Sequence, residues 1–238
     1  MDLNRFDTPC EGCGPDGPAS PDTELAPLDL RRHMELMQEY REAIRIVTER
    51  FESLGAQARA RMQHNPVHSV SSRLKTPTGI MEKLRRKGLP VTEESIRLNV
   101  RDVAGVRVVC PYLNDIDVVA EFLLSQDDVT LVARKDYVAS PKESGYRSLH
   151  LVVALSLPLD GLQREVPVEV QVRTIAMDFW ASLEHQLRYK NRAVLKDSDP
   201  LVEDIRSRLE SCARQIARLD RAMQRIQEDI DELPTEQG

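Results

Sequence analysis

Two carboxylates, Glu169 and Asp102, stand at apolar strand-like runs in a chain that surrounds them with Arg and Lys. Around Glu169 the sequence reads Val166-Pro-Val-Glu-Val-Gln-Val-Arg-Thr174. Residues two apart share one face of a strand, so Glu169, Gln171 and Arg173 face one way and Val168, Val170 and Val172 the other. Such a face lines a cleft; it does not pack. Asp102 immediately precedes a second run, Ala104 to Cys110, with Arg107 set among valines. Burying that charge is costly unless it is paired or lines a cavity. Arg107 is therefore either an ion-pair partner of Asp102 or a contact for a nucleotide base. Two carboxylates among many cations suit Mg²⁺ held against a nucleotide polyphosphate.

The cations fall in groups. Arg73 and Lys75 share one face of a short strand in Ser71-Ser-Arg-Leu-Lys75. The following helix ends in Lys83, Arg86 and Lys87, spaced to cluster on one side. Cations at a helix C-terminus also complement its dipole, which is the simpler reading of that cluster alone. Arg73 and Lys75 just upstream favour phosphate, whose oxygens match the planar fork of arginine. Further on, Lys142-Glu-Ser-Gly-Tyr-Arg-Ser-Leu-His150 is a glycine turn entering a strand. Tyr146, flanked by Lys142 and Arg147, is suited to stacking on a base, or else it plugs the loop. His150 is either a neutral core histidine or a phosphate contact. Glycine-rich phosphate loops of the Walker and Rossmann kinds are absent, so a nucleotide would be held by side chains.

The elements that must position these groups follow from periodicity. Residues 1–27 hold five prolines and three glycines and read as a disordered tail. Residues 28–65 form an N-terminal helical region, capped at Asp29, with an apolar stripe of Met34, Met37, Ile44, Val47, Phe51 and Leu54 that ends at Gly55. Strands are expected over 69–75, 104–110, 129–133, 148–157 and 165–172, with helices from Thr76-Pro77, from Asn114 or Asp115, and from Thr174. Residues 66–195 make this α/β unit, and residues 196–238 a C-terminal amphipathic helix. The fold class is α/β: a mixed sheet of about five strands flanked by N- and C-terminal helices.

Composition bounds the function. The chain has 238 residues, 41% of them hydrophobic and 30% charged, which fits a globular protein. A net charge of -6 argues against broad nucleic-acid or acidic-membrane binding, so an anion site must be local. Without a long apolar run or a leader pattern, the expected location is the cytoplasm. Cys10 and Cys13 supply only two of the four ligands a structural zinc wants, and Cys110 and Cys212 read as small apolar residues.

Taken together, Ser-Arg-Leu-Lys75, Arg-Asp-Val-Ala-Gly-Val-Arg107, the Asp136–His150 segment, Val-Glu-Val-Gln-Val-Arg-Thr174 and Phe-Trp-Ala-Ser-Leu-Glu-His185 resemble the synthetase domain of RelA/SpoT-type GTP pyrophosphokinases. The likeness runs over residues 67–192, with motifs in the family's order, and is closest to stand-alone small alarmone synthetases. It implies a sheet of nucleotidyltransferase-like type and transfer of the β,γ-pyrophosphate of ATP to the 3′-hydroxyl of GDP or GTP, or GMP, with release of AMP, in the stringent response. The resemblance further implies that Asp102 and Glu169 hold Mg²⁺ and that Glu169 is the base. Arg73 and Arg107 would sandwich adenine, and Lys75, Lys83 and Arg86 would neutralise the triphosphate. Tyr146 would stack on guanine, Asp178 would accept the guanine N1 and N2 hydrogens, and Lys135, Lys142, His150 and Gln171 would bind the acceptor's phosphates and ribose. A homotetramer is implied as well. One departure concerns regulation: His68-Ser-Val-Ser-Ser72 has no aromatic where some small synthetases bind product between subunits, so activation by pppGpp is not expected. Two rivals remain. A nucleotidyltransferase would release pyrophosphate, and a silent nucleotide- or RNA-binding module, with single-stranded RNA in the basic cleft, would release nothing.

Overall fold

The computed structural model describes residues 30–61, 64–159, 161–191 and 200–233. The expected tail, the Asp29 cap and the Cys10/Cys13 pair lie outside the described residues. In chain order the elements are α1 (Leu30–Ala60), β1 (Ser69–Leu74), α2 (Pro77–Arg86), α3 (Glu93–Asn99), β2 (Ala104–Cys110), α4 (Asn114–Leu124), β3 (Val129–Asp136), β4 (Leu149–Leu159), β5 (Leu162–Thr174), α5 (Ile175–Asn191) and α6 (Pro200–Asp231).

One mixed sheet of five strands runs in the order β1-β2-β5-β4-β3. Only the β2–β5 pair is parallel; the other neighbours are antiparallel. Strand β5 is central because its valines allow burial on one side while its polar residues need the other. Val168, Val170 and Val172 pair in register with Ala104, Val106 and Val108 of β2 and with Val153, Leu151 and Leu149 of β4. All nine are buried, under α1 and α4. Each fully buried aliphatic side chain there contributes about 1.5–3 kcal/mol of transfer free energy.

Helix α1 buries Leu36, Met37, Tyr40, Ala43, Val47 and Phe51, which recur at one, three and four along its inner face. The apolar stripe expected from the sequence sits slightly rotated: Met34 is exposed, and Leu36 and Tyr40 take the inward positions. Gly55 does not end the helix, which continues to Ala60. Its lack of a side chain serves packing, since a Cβ there would lie 3.1 Å from Asn65 Oδ1 and 3.5 Å from Val67 Cβ. Thr76 caps α2 through its hydroxyl, accepting from the Gly79 N–H with Pro77 at the first turn, as the sequence indicates. At α4 neither Asn114 nor Asp115 caps. Leu113 occupies the cap position, and Asp115 accepts from the Tyr112 N–H and contacts His64 at 2.8 Å. Helix α3 was not expected; it is too short to show a period, although Thr92 and Ser95 mark its start.

Candidate active site

The open face of the sheet carries its polar residues in rows set by strand register. Arg73 on β1 pairs with Gly105 on β2, Gly105 with Glu169 on β5, and Glu169 with Val152 on β4. The next row runs Ser71, Arg107, Gln171, His150 and Lys135, across all five strands. A third holds Val109 and Arg173. Register thus gathers residues spread over a hundred positions into one wall.

Gly105 explains how the first row closes. A Cβ at 105 would press on Arg73, 3.2 Å from its Cγ and 3.3 Å from its Nε. Without one, Arg73 lies across β2 and brings its guanidinium 3.9 Å from Glu169 Oε2. A glycine inside a strand often marks such an approach.

Asp102 lies in the turn before β2, held by one cation from the link after β1 and one from α2. Lys75 Nζ donates at 3.0 Å and Lys83 Nζ at 2.8 Å to its two oxygens. Burial pushes the carboxyl up, but the two ammonium groups outweigh that and hold it below its ordinary value. The possible Asp102–Arg107 ion pair does not form: Arg107 meets Asp178 instead, at 3.4 Å. The sequence pointed to Lys75 and Lys83 as phosphate ligands without showing that they converge on Asp102. Arg86, on the same helix, is exposed and forms no ion pair among the described residues.

At the other end of the wall the contacts form a ring. Gln171 Nε2 donates to Glu169 Oε2 at 3.0 Å, and Gln171 Oε1 accepts from Arg173 at 2.8 Å. Arg173 also donates to the Tyr146 hydroxyl at 2.6 Å, and that hydroxyl lies 2.8 Å from His150 Nε2. His150 Nδ1 returns to within 3.8 Å of Glu169 Oε1. Burial, then Arg173, Lys142, Lys135 and Arg73, push the His150 imidazole down to about 3. It is therefore neutral near pH 7. An imidazole hydrogen on Nδ1 would face Glu169 and leave Nε2 to accept the Tyr146 hydroxyl hydrogen.

The turn bearing Tyr146 is closed by Gly145 N–H donating to Lys142 O at 2.8 Å and Lys142 N–H to Tyr146 O at 3.1 Å. Gly145 has a φ of 85°, and a Cβ there would collide with Ala213 of α6. Lys142 Nζ sits 4.7 Å from the Tyr137 ring centre and 5.5 Å from that of Tyr146. Tyr137, also 5.3 Å from the His150 ring, is a site neighbour that sequence reasoning missed; its place just after β3 was the available signal. Lys135 is exposed beside His150. Asp178, on the first turn of α5, accepts from Arg173 at 3.3 Å as well as facing Arg107.

The wall is thus rich in positive charge. Burial and the adjacent Arg173 push the Arg107 guanidinium below its ordinary value, and its Nε is buried with no partner among the described residues. Both suit this surface to an anionic or hydrogen-bonding ligand. Among the described residues there is no group of three or more His, Cys, Asp or Glu able to hold a metal alone. No described helix is long and apolar enough to cross a membrane.

A family model described as a region found in RelA / SpoT proteins matches residues 72–194. The GTP pyrophosphokinase YjbM of Bacillus subtilis is 36% identical over 193 residues, covering 81% of this chain and 87% of that protein. The GTP pyrophosphokinase YwaC of the same organism is 39% identical over 168 residues, 71% of this chain and 77% of its own length. The crystal structure of small alarmone synthetase 1 from Bacillus subtilis bound to its product pppGpp superposes with a TM-score of 0.75 at 34% identity, covering 84% of this chain and 99% of that one.

Proposed function

The chain belongs to the RelA/SpoT family, and we propose that the open face of its sheet is the pyrophosphate-transfer site of a small alarmone synthetase. The protein is a GTP pyrophosphokinase that makes (p)ppGpp from ATP and GDP or GTP. The observation that carries the site assignment is register: Glu169 stands beside Gly105, three residues beyond Asp102, with Arg73, Lys75, Lys83 and Arg107 around them.

In the reaction the acceptor's 3′-oxygen forms a bond to the β-phosphorus of ATP. The bond from that phosphorus to the oxygen bridging the α- and β-phosphates breaks, and its electron pair leaves on AMP. Glu169 takes the 3′-hydroxyl proton. Its Oε2 is fixed by Gln171, and Oε1 faces Nδ1 of His150. Arg73 and Arg107 hold adenine from the β1–β2 side. Lys75, Lys83 and Arg86 meet the triphosphate, the first two exchanging Asp102 for phosphate oxygens. Lys135, Lys142, His150 and Gln171 engage the acceptor's phosphates and ribose, Tyr146 stacks on guanine, and Asp178 accepts from its N1 and N2. Catalysis of this kind is mostly positioning and charge stabilisation.

Asp102 and Glu169 fit a Mg²⁺ ion, since a hard cation that takes one or two carboxylates fills its shell with phosphate oxygens and water. When bound it would neutralise charge on the transferring phosphates. The exposed Phe179, Leu183 and Leu187 of α5 and Leu219, Met223, Ile226 and Ile230 of α6 support a homotetramer, the apolar faces being covered by other copies.

The test is product identity. Purified protein with ATP, Mg²⁺ and, in turn, GMP, GDP and GTP should release AMP and a 3′-pyrophosphorylated guanine nucleotide. Pyrophosphate release would instead mean nucleotidyl transfer. Light scattering that returns a monomer would remove the tetramer.

A further inference from the structure

Arg173 is a charged side chain only 5% exposed, next to the last residue of the central strand, and no step above uses it. Its guanidinium meets four acceptors. Nε donates to Ser148 Oγ at 3.3 Å and one terminal nitrogen to Asp178 Oδ1 at 3.3 Å. The other terminal nitrogen donates to the Tyr146 hydroxyl at 2.6 Å and to Gln171 Oε1 at 2.8 Å. These acceptors come from separate pieces of the chain: the glycine turn, the entry to β4, β5 itself and the first turn of α5. The guanidinium carbon also lies 5.1 Å from the Tyr146 ring centre, so the ring is held at its edge and near its body by one group.

We propose that Arg173 is the positioning residue of the acceptor side, setting Tyr146, Gln171 and Asp178 in the one arrangement that receives a guanine nucleotide. This deepens the reading above and rests on those three residues facing that nucleotide. Arg173 itself does not touch substrate, because all three of its nitrogens are engaged by protein oxygens and it is buried beneath them. The demand is geometric. A guanidinium offers five N–H donors in a rigid plane, and a lysine ammonium offers three on a flexible stem. Ser148 is buried and Tyr146, Gln171 and Asp178 are half-buried, so water replaces a bond lost there only in part. The ATP side is built differently: Lys75 and Lys83 meet Asp102, and Arg73 approaches Glu169, with no contact to Arg173. Only Arg107 shares a partner with Arg173, the Asp178 carboxylate, so Arg173 acts chiefly on the acceptor and through one bond at most on ATP.

The experiment is steady-state kinetics with each substrate varied in turn, on Arg173→Lys, Tyr146→Phe and the double variant. Arg173→Lys should raise the KM for GDP by about tenfold and move that for ATP by less than about twofold. Tyr146→Phe keeps the ring, loses the acceptor, and should raise the KM for GDP by a smaller factor. If Arg173 acts through that hydroxyl, the double variant falls short of the product of the two effects. Equal rises in both KM values, or multiplicative effects, would overturn the proposal. Should Arg173→Lys not fold, Tyr146→Phe and Asp178→Asn carry the same test, since the first removes one acceptor of the guanidinium and the second the charge on another. Their effects on the KM for GDP should again combine to less than their product, and a full product counts against Arg173. If neither Tyr146→Phe nor Asp178→Asn changes the KM for GDP, it is the placement of the guanine nucleotide that fails, and the inference falls with it.

Discussion

The two faces of β5 solve opposite problems with alternate residues of one strand. On the covered face, Val168, Val170 and Val172 are interchangeable in kind: they exclude water beneath α1 and α4, and their contribution scales with area. On the open face, Glu169, Gln171 and Arg173 are each defined by named partners at stated distances. The covered face should tolerate change in proportion to volume. The open face should respond to a single atom. Stability and activity are therefore separable along the same strand.

The sharpest way to break this contrast is Glu169→Gln, which alters one oxygen. It should lower turnover by about 10²–10⁴-fold, the range for a positioned general base, while nucleotide binding, read by calorimetry, persists. Retained turnover would remove the base assignment. On the other face, Leu151→Ala empties a fully buried position and should cost about 2–5 kcal/mol in denaturant unfolding. Below its melting transition that variant should keep both KM values; a selective change in either would mean that the two faces are not independent. Gly105→Ala is smaller still. The added methyl displaces Arg73 from Glu169, so the KM for ATP should rise by about threefold, with the melting temperature nearly unchanged.

The smallest effect is the pH dependence of stability. Burial, then Arg173, Lys142, Lys135 and Arg73, hold the folded His150 down to about 3, whereas an unfolded histidine takes its proton near about 6.5. Between those values the unfolded chain binds the extra proton, so stability falls as pH drops from about 6.5 towards about 3. Asp102, held low by Lys83 and Lys75 against its burial, adds its own loss only below the ordinary carboxylate value. Melting temperatures at about pH 7.5 and about pH 5 should therefore differ less in His150→Gln than in the parent protein. An identical drop in both would show that His150 does not contribute.

What the sequence made legible was local. The period of two in Val166–Thr174 displayed the two faces directly, and Thr76-Pro77 and the glycine turn at 145 carried their own chemistry. What it hid depended on which strands become neighbours. Arg107 looks like a partner for Asp102 because it sits on the strand that Asp102 precedes, but β1 lies beside β2 and α2 follows β1, so Lys75 and Lys83 reach Asp102. Gly55 looked like a helix stop because glycine often is one, although here it admits Asn65 and Val67. The ring linking Glu169 to Tyr146 could not be seen at all without the register of β4 on β5.

The contact of Gly145 with Ala213 has a bearing on how such a chain can diversify. Helix α6 supplies no proposed ligand, and yet it is the back plate against which the acceptor turn rests. A side chain at position 145 would meet the Ala213 Cβ first, so room for it would have to come from that methyl. The two sites are thus bound to drift together, and a helix remote from the chemistry inherits its constraint.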